Sequence, residues 1–263
     1  MITATSNNQI KNIIQLMNKS KARREQKSYI IEGIRMFLEV PKELLVKAYV
    51  CENSLAHTDT RVCEILEDIE YEVVAEKVFK SISGTVTPQG IIAIVRMKEY
   101  EFDKLVNDQP GNNLYMILED IQDPGNLGTI MRTAEATGVS ALVMSKGTVD
   151  IYNPKVIRST MGTIYRVPFI YEENICETVE LMKQRGVNIV AAHLNGNEWY
   201  DDISYNCKTA FVIGNEGNGI SDELSNKADV LMKIPMEGNV ESLNASVAAS
   251  VLMYEAYRQK RKL

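Results

Sequence analysis

The most constraining feature of this sequence is the alternation of short apolar runs with helical patterns over its last 150 residues. The apolar runs have the length of buried strands, and apolar residues spaced three and four apart between them indicate helices. Strands that alternate with helices are typical of an α/β fold with a mainly parallel sheet covered on both faces. The predicted strands span residues 114–118, 141–144, 187–192, 210–213 and 230–234. The predicted helices span residues 130–137, 154–161, 175–185 and 242–258.

The first 98 residues carry a second, shorter alternation. Helical spacing predicts a helix over 9–27, and β-rich runs predict strands at 29–32, 48–51, 71–74 and 91–95. A polar stretch containing Gln-Pro-Gly-Asn at 109–112 follows and is typical of a linker. We therefore predict a small α/β domain over 1–98, a linker over 99–113 and a larger α/β domain over 114–263.

Several protein classes are excluded by residue types that the sequence lacks or spaces widely. No apolar run reaches the ~18 residues of a membrane helix, and the first residues lack the apolar core of a signal peptide. A zinc site needs about four closely spaced ligands, whereas this chain has only His57, His193 and four scattered cysteines. We therefore expect a cytoplasmic protein with reduced thiols, no membrane segment and no metal ion. The cysteines are Cys51, Cys63, Cys176 and Cys207.

The charge of the chain is distributed unevenly. The net charge of −6 by itself argues against a nucleic-acid partner. Residues 1–35, however, hold seven basic and two acidic side chains, and the last six residues hold four basic ones. A cluster of basic residues on a helix is either a solvated face or a patch that binds phosphates, and charge alone does not decide between these two interpretations. Five basic residues share the first predicted helix: Lys19, Lys21, Arg23, Arg24 and Lys27.

A turn and a helix with a basic residue follow the strand at 114–118. Residues 123–126 read Asp-Pro-Gly-Asn, which forms a sharp turn. Arg132 falls within the first turns of the helix that follows. Two interpretations of Asn126 and Arg132 remain open. Either Asn126 is a turn residue and Arg132 a solvated side chain, or the helix N-terminus at Asn126 and the Arg132 cation together bind an anion such as phosphate.

Two further loops follow predicted strands. Residues 214–220 read Gly-Asn-Glu-Gly-Asn-Gly-Ile, which is either a permissive turn or a ligand loop in which Glu216 accepts hydrogen bonds. The glycine order differs from the GxGxxG of dinucleotide-binding folds. Residues 234–247 lead into the last helix, where Ser242 and Asn244 either cap the helix or face a pocket. Because ligands bind beyond the carboxyl ends of parallel strands, we expect the three loops to form one site.

These three segments resemble the three motifs of the SpoU/TrmH family of RNA ribose 2′-O-methyltransferases, in the SPOUT superfamily. The matching segments are NLGTIMRTA at 126–134, IGNEGNG at 213–219 and IPMEGNVESLNASV at 234–247, in the expected order. In addition, YIIEG at 29–33 and PQGI at 88–91 resemble the L30e-like substrate-binding domain that precedes the catalytic domain in many members.

This resemblance implies a fold and a cofactor. Members of the family fold as a mainly parallel sheet with a deep C-terminal trefoil knot and form homodimers. S-adenosylmethionine (AdoMet) binds among the loops of the knot. The cofactor-binding residues implied for this chain are Gly214, Asn215, Gly217, Gly219, Ile234, Pro235, Met236, Leu243 and Asn244.

The resemblance also implies methyl transfer to a ribose 2′-hydroxyl of RNA. Arg132 is the family's candidate for activating the hydroxyl, but because arginine stays protonated in proteins, we favour a role in binding phosphate or a developing alkoxide. Asn126 is expected to orient Arg132 or the substrate, and Glu216 to position the loop or the cofactor. Ser242 and Asn244 complete the implied catalytic set by lining the pocket.

The N-terminal domain indicates which class of RNA is the expected substrate. An L30e-like domain favours ribosomal RNA over transfer RNA, and the five basic residues of the first helix then become expected phosphate contacts. The alternatives are an RNA-binding protein without activity and a nucleotide-dependent enzyme that uses residues 214–219 for phosphates. The occupied motif positions argue against the first, and the glycine order against the second.

Overall fold

The computed structural model describes residues 1–107, 113–239 and 242–261. The turn predicted at 109–112, residues 240 and 241 of the third motif and the basic Lys262 lie outside the described residues. The strands are β1 (Ser28–Glu32), β2 (Leu45–Cys51), β3 (Tyr71–Val74), β4 (Ile91–Arg96), β5 (Leu114–Leu118), β6 (Ala141–Ser145), β7 (Phe169–Glu172), β8 (Asn188–Ala192), β9 (Glu198–Trp199), β10 (Thr209–Ile213) and β11 (Val230–Lys233). The helices are α1 (Asn8–Asn18), α2 (Ser20–Gln26), α3 (Ile34–Glu39), α4 (Thr60–Leu66), α5 (Glu76–Ile82), α6 (Phe102–Asn107), α7 (Pro124–Thr137), α8 (Pro154–Thr160), α9 (Ile175–Gln184), α10 (Asp222–Ser225) and α11 (Ala245–Lys260).

The chain folds into two compact units. The N-terminal unit comprises residues 1–99 together with 150–165, and the C-terminal unit comprises 100–149 and the residues from 166 onward. The N-terminal unit therefore includes α8, although this helix lies between β6 and β7 in the chain. No local pattern in the sequence indicates that residues 150–165 pack with the first hundred, because that packing depends on distant partners.

The N-terminal unit is built on a mixed sheet with the strand order β1-β4-β2-β3. Strand β4 pairs antiparallel with β1 and β2, and β2 pairs parallel with β3. Helix α1 begins where the Asn7 side chain accepts a hydrogen bond from the Gln9 backbone N–H at 2.8 Å. Its apolar residues Ile10, Ile13 and Leu16 are fully buried in the core of this unit.

The single helix predicted over 9–27 is wrong, because the chain bends at Lys19. This residue is extended, with φ −121° and ψ 111°, and separates α1 from α2. The bend lets the Arg23 guanidinium donate to the carbonyl oxygens of Leu16 (2.8 Å) and Met17 (3.2 Å). The last carbonyls of a helix have no partner within it, so Arg23 supplies the donors that the end of α1 needs.

The C-terminal unit is built on a parallel sheet with the strand order β7-β6-β5-β10-β8-β11-β9. Each pair of neighbouring strands is parallel. Every residue of β5, β6 and β10 is buried, as expected for strands covered on both faces. The mainly parallel sheet predicted from the alternation is confirmed, whereas the trefoil knot stays a prediction.

Helix α6 lies within the segment for which the composition predicts a linker. Its residues Leu105 and Val106 are buried in the core of the C-terminal unit. The ring of Phe102 packs beside that core, with the Arg185 guanidinium 4.6 Å from its centroid. A helix therefore replaces the expected linker over 102–107, because these apolar side chains pack despite their polar neighbours. In the described parts of the chain, no helix is both long and apolar enough to cross a bilayer.

Candidate active site

The strand order of the C-terminal unit brings the three motif loops to one edge of the sheet. The first motif follows β5, and the second follows β10, which lies next to β5. The third motif follows β11, which β8 separates from β10. In a parallel sheet all carboxyl ends face the same edge, so the predicted meeting of the three loops has a direct structural cause.

The first motif forms the start of α7. The Asp123 side chain accepts the Asn126 backbone N–H at 2.8 Å, and Pro124 occupies the first turn, where its missing N–H costs nothing. Asn126 is buried at 7% exposure. Arg132 lies farther along α7, with an exposed side chain that makes no hydrogen bond or ion pair with any described residue. Its guanidinium is therefore free to bind an external anion.

Glu216 of the second motif holds the first motif in place. One carboxylate oxygen accepts the Asn126 side-chain amide at 2.9 Å and the Asp123 backbone N–H at 3.0 Å. The other accepts the Gln122 backbone N–H at 3.0 Å. Partial burial raises the pKa of Glu216, but the hydrogen bonds from Asn126, Gln122 and Asp123 together outweigh it, and the pKa lies below its ordinary value.

Asn126 also connects the first motif to the third motif through its side chain. Its side-chain oxygen accepts the Asn244 amide at 3.0 Å. The Asn244 oxygen in turn caps α11, accepting the backbone N–H of Ser246 at 2.9 Å and of Val247 at 3.3 Å. An ionised carboxylate only accepts hydrogen bonds, so Glu216 fixes the orientation of both amides. We call the chain Glu216–Asn126–Asn244 the motif relay.

The glycine loop of the second motif depends on a close backbone crossing. Asn215 and Gly219 exchange two backbone hydrogen bonds of 2.9 Å. A Cβ on Gly214 would lie 2.1 Å from the carbonyl carbon of Gly219, so no side chain fits there. Gly219 has φ +71°, a conformation that favours glycine. The Asn215 side chain accepts the Gly217 N–H at 2.9 Å and closes the turn.

A cavity of about 510 Å³ opens beside this loop. Its size is in the range of small-molecule sites. It brings together ten of the sequence-predicted residues: Gly214, Asn215, Glu216, Gly217, Gly219, Ile234, Pro235, Met236, Ser242 and Leu243. Asn244 and Asn126, which hydrogen-bond each other in the motif relay, do not line the cavity, and neither does Arg132.

Sequence reasoning missed one wall of the cavity. This wall follows β8 and includes His193, Leu194 and Trp199, with Lys233 at the end of β11. These residues form no recognisable motif. The rule that ligands lie beyond the carboxyl ends of parallel strands would have found His193 and Leu194, because they directly follow β8, an inner strand of the sheet.

The basic residues of the first helical segment do not all remain available. The Arg23 side chain is 4% exposed, and its Nε lies 3.0 Å from Asp150. Its predicted contact with phosphate is therefore wrong, because the guanidinium is already bound inside the N-terminal unit. Lys19 and Arg24 are exposed, whereas exposed Lys21 and Lys27 pair with the carboxylates of Glu25 (3.8 Å) and Glu99 (2.7 Å). Within the described residues, no cluster of three or more histidine, cysteine or acidic side chains could hold a metal ion.

Comparisons with known proteins agree with this geometry. The model of the SpoU rRNA Methylase family matches residues 113–254, and that of the MRM3-like substrate binding domain matches residues 7–93. The 23S rRNA (guanosine(2553)-2′-O)-methyltransferase RlmP of Bacillus subtilis is 32% identical over 254 residues, which cover 96% of this chain and 97% of that protein.

Two solved structures share the whole fold. The AdoMet-bound rRNA methyltransferase from Sinorhizobium meliloti superposes with a TM-score of 0.87 at 28% identity, covering 98% of this chain and 97% of that one. A structure described as an RNA 2′-O ribose methyltransferase superposes with a TM-score of 0.81 at 29% identity and covers 99% of both chains. The chain therefore belongs to the SpoU rRNA methylase family.

Proposed function

We propose that this chain transfers a methyl group from AdoMet to a ribose 2′-hydroxyl of ribosomal RNA. The observation that carries the proposal is the motif relay, which joins the glycine-loop cavity to the helix bearing the unpaired Arg132. The names of the similar proteins, an rRNA 2′-O-methyltransferase and an AdoMet-bound rRNA methyltransferase, support it.

The cavity suits AdoMet in size and in the character of its wall. Gly214, Gly217 and Gly219 leave the backbone open to a ligand, and Ile234 and Leu243 provide apolar surface for a flat base. AdoMet, when bound, supplies an activated methyl group on a sulfonium, which is a good leaving group. The tasks left to the protein are to align the 2′-hydroxyl with that methyl group and to ease the loss of its proton.

Arg132 is the side chain best placed to act on the RNA. A guanidinium binds a phosphate through two parallel hydrogen bonds and stabilises negative charge that develops on the hydroxyl oxygen. Glu216 is poorly suited as the base, because three donors already occupy its carboxylate and its pKa is lowered. We therefore assign Arg132 to phosphate or alkoxide binding and Glu216 to positioning.

Methyl transfer by an Arg132→Ala variant tests this assignment. We expect activity to fall by at least about 10²–10³-fold, while the free energy of unfolding changes by less than about 0.5 kcal/mol because the side chain is exposed. Activity would be followed as incorporation of labelled methyl groups into ribosomal RNA. Retained turnover overturns the assignment, and near-normal activity of Arg132→Lys contradicts two-point phosphate binding.

The identity of the RNA target is a separate step of the proposal. The N-terminal unit, which matches a substrate-binding domain, is the part that we assign to RNA contact. Mapping 2′-O-methyl groups in total RNA from cells with and without this protein names the target directly. The loss of a 2′-O-methyl group from ribosomal RNA supports the proposal. A loss confined to transfer RNA means that transfer RNA is the substrate instead.

We also propose a homodimer and a cytoplasmic location. Val247 and Tyr254 on α11 are 47% and 52% exposed, and together with Tyr257 they form an apolar, aromatic helix face. Aromatic side chains are enriched in the interfaces between protein subunits, and a second copy of this chain is the occupant that we assign to this face. The free thiols of the four cysteines fit a reducing compartment such as the cytoplasm.

A further inference from the structure

The wall of the cavity that follows β8 is tightly built. The backbone N–H groups of His193 and Asn197 donate to the carbonyl oxygens of Met232 (2.9 Å) and Leu231 (3.1 Å) on β11. A Cβ on Gly196 would lie 2.5 Å from the carbonyl carbon of Met232, so glycine is required at this crossing. The segment 193–199 is thereby fixed against β11, and Trp199 becomes the register partner of Lys233.

Lys233 and Trp199 interact directly at the edge of the cavity. The Lys233 ammonium lies 4.4 Å from the centroid of the Trp199 indole, within the range of a cation–π interaction. Lys233 is half-buried and makes no hydrogen bond or ion pair with any residue that the structure describes. A half-buried ammonium held on an aromatic face but lacking an anion is a ready binding point for a carboxylate.

The charges that line the cavity are separated across the sheet. Glu216 follows β10, and Lys233 ends β11, with β8 between these strands. Strands in a sheet are spaced by about 4.8 Å, so the two strands lie roughly 10 Å apart. His193 accepts the Asn195 N–H at its Nδ1 (3.2 Å). Among the described residues that line the cavity, Lys233 is the only lysine or arginine.

We propose that Lys233 binds the carboxylate of the methionyl group of AdoMet, and that Trp199 is a positioning residue that holds the Lys233 ammonium in place. This inference rests on the proposed function, because it takes AdoMet as the ligand of the cavity. It follows from charge complementarity: the carboxylate is the anionic group of AdoMet, and Lys233 faces the cavity without an anion. The sulfonium is left to the part of the cavity that Glu216 lines.

Calorimetric titration with AdoMet and with decarboxylated AdoMet tests the role of Lys233. We expect the wild-type protein to bind AdoMet about 10- to 100-fold more tightly than the decarboxylated compound, the effect of one hydrogen bond to a charged group. Lys233→Met should lose this preference by binding AdoMet more weakly while its affinity for the decarboxylated compound stays nearly constant. Lys233→Arg, which keeps the charge, should restore part of the preference.

The possible failures of this experiment are distinguishable. If the wild-type protein binds both compounds equally, or if Lys233→Met weakens both by the same factor, the carboxylate contact is overturned and the proposed function stands. If the wild-type protein binds neither compound, the proposed function is overturned together with the inference. Thermal unfolding followed by circular dichroism checks that the variants remain folded.

Trp199 is tested by the same ligand comparison. We expect Trp199→Leu to reduce the preference for AdoMet severalfold in the presence of Lys233 and to have no such effect in the Lys233→Met background. Equal effects in both backgrounds overturn the positioning role. Trp199 is the one tryptophan of the sequence, so its fluorescence also follows binding without any activity assay. We expect AdoMet to change this fluorescence, and no change at saturating AdoMet counts against a place for Trp199 at the ligand.

Discussion

Glu216 contributes to the stability of the active-site loops through its charge. Its pKa in the folded protein is lowered from the ordinary 4.5, so the ionised carboxylate stabilises the fold fully above that pH. This contribution disappears as the pH falls below 4.5 and through the lower pKa of the folded state. We expect Glu216→Gln to be less stable than the wild type at neutral pH, and the difference to shrink as the medium is acidified.

Urea unfolding of both proteins from pH 7 down to about pH 3 measures this difference. The matched control is Glu237→Gln, which changes an exposed carboxylate on the loop after β11. That substitution should alter the free energy of unfolding by less than about 0.5 kcal/mol at any pH. A Glu216→Gln difference that stays constant with pH argues that the carboxylate charge does not stabilise the loops.

Two glycines of the second motif have opposite tolerance to a side chain. In Gly214→Ala the new Cβ meets the backbone of Gly219 at 2.1 Å, whereas in Gly217→Ala the nearest atom is the Asn215 side-chain oxygen at 3.5 Å. We expect Gly214→Ala to lose about 1–3 kcal/mol of stability through overpacking and to lose AdoMet binding. Gly217→Ala should change stability by less than about 1 kcal/mol. Denaturant midpoints and calorimetry measure both quantities, and equal behaviour of the two variants contradicts the close crossing.

At the scale of elements, the bend between α1 and α2 separates two basic residues that are adjacent in the chain. Arg23 is bound to Asp150 and to the end of α1, whereas Arg24 is exposed. We expect Arg23→Met to cost about 3 kcal/mol, because it leaves Asp150 unpaired, and to leave the salt dependence of RNA binding unchanged. Arg24→Met should leave the free energy of unfolding unchanged. It should reduce the slope of log RNA affinity against log salt concentration by about 0.7–0.9, because one phosphate contact is lost.

Chemical unfolding and RNA binding at several salt concentrations give the two readouts. In the Arg23→Met background, Asp150→Asn should recover part of the lost stability, because it removes the unpaired charge. A drop in RNA affinity in Arg23→Met without a loss of stability would restore Arg23 to the phosphate-binding surface.

The elements with strong local periodicity could be predicted from the sequence, and those that depend on distant partners could not. The buried strands β5 and β10 contain the apolar runs 114–118 and 210–213, which predict them without further information. The burial of Arg23 after the bend at Lys19 involves Asp150, which is 127 residues away from Arg23 in the chain. In the same way, α6 lies in a polar stretch and is stabilised by the core that covers Leu105 and Val106.

The active site likewise contains residues whose positions could be predicted from the sequence and residues whose role could not. The residues of the motif relay lie in the recognisable segments, so their positions could be predicted, although their hydrogen bonds could not. Lys233 and Trp199 acquire a role only because β9 pairs with β11, which no local pattern indicates. Pairing between strands brings such residues together without leaving a signature in the local sequence.

At the scale of the whole molecule, α11 connects the cavity to the proposed dimer face. Ala245 and Ala248 line the cavity, whereas Val247 and Tyr254 are exposed on the same helix. Ser250 of α11 also contacts Thr133 of α7 at 3.1 Å, one residue from Arg132. A second copy packed on α11 would therefore restrain the helix whose first turn Asn244 caps.

This connection predicts that assembly and cofactor binding are coupled. We expect Tyr254→Lys to convert a dimer into a monomer in sedimentation experiments, since it places a charge on the apolar face. The monomer should bind AdoMet more weakly by about 10-fold, a typical coupling between two sites. The control is Leu181→Lys on α9, which changes a leucine that is 42% exposed and should alter neither property. A wild-type protein that sediments as a monomer contradicts the dimer, and a Tyr254→Lys monomer with unchanged AdoMet affinity shows that α11 carries no such coupling.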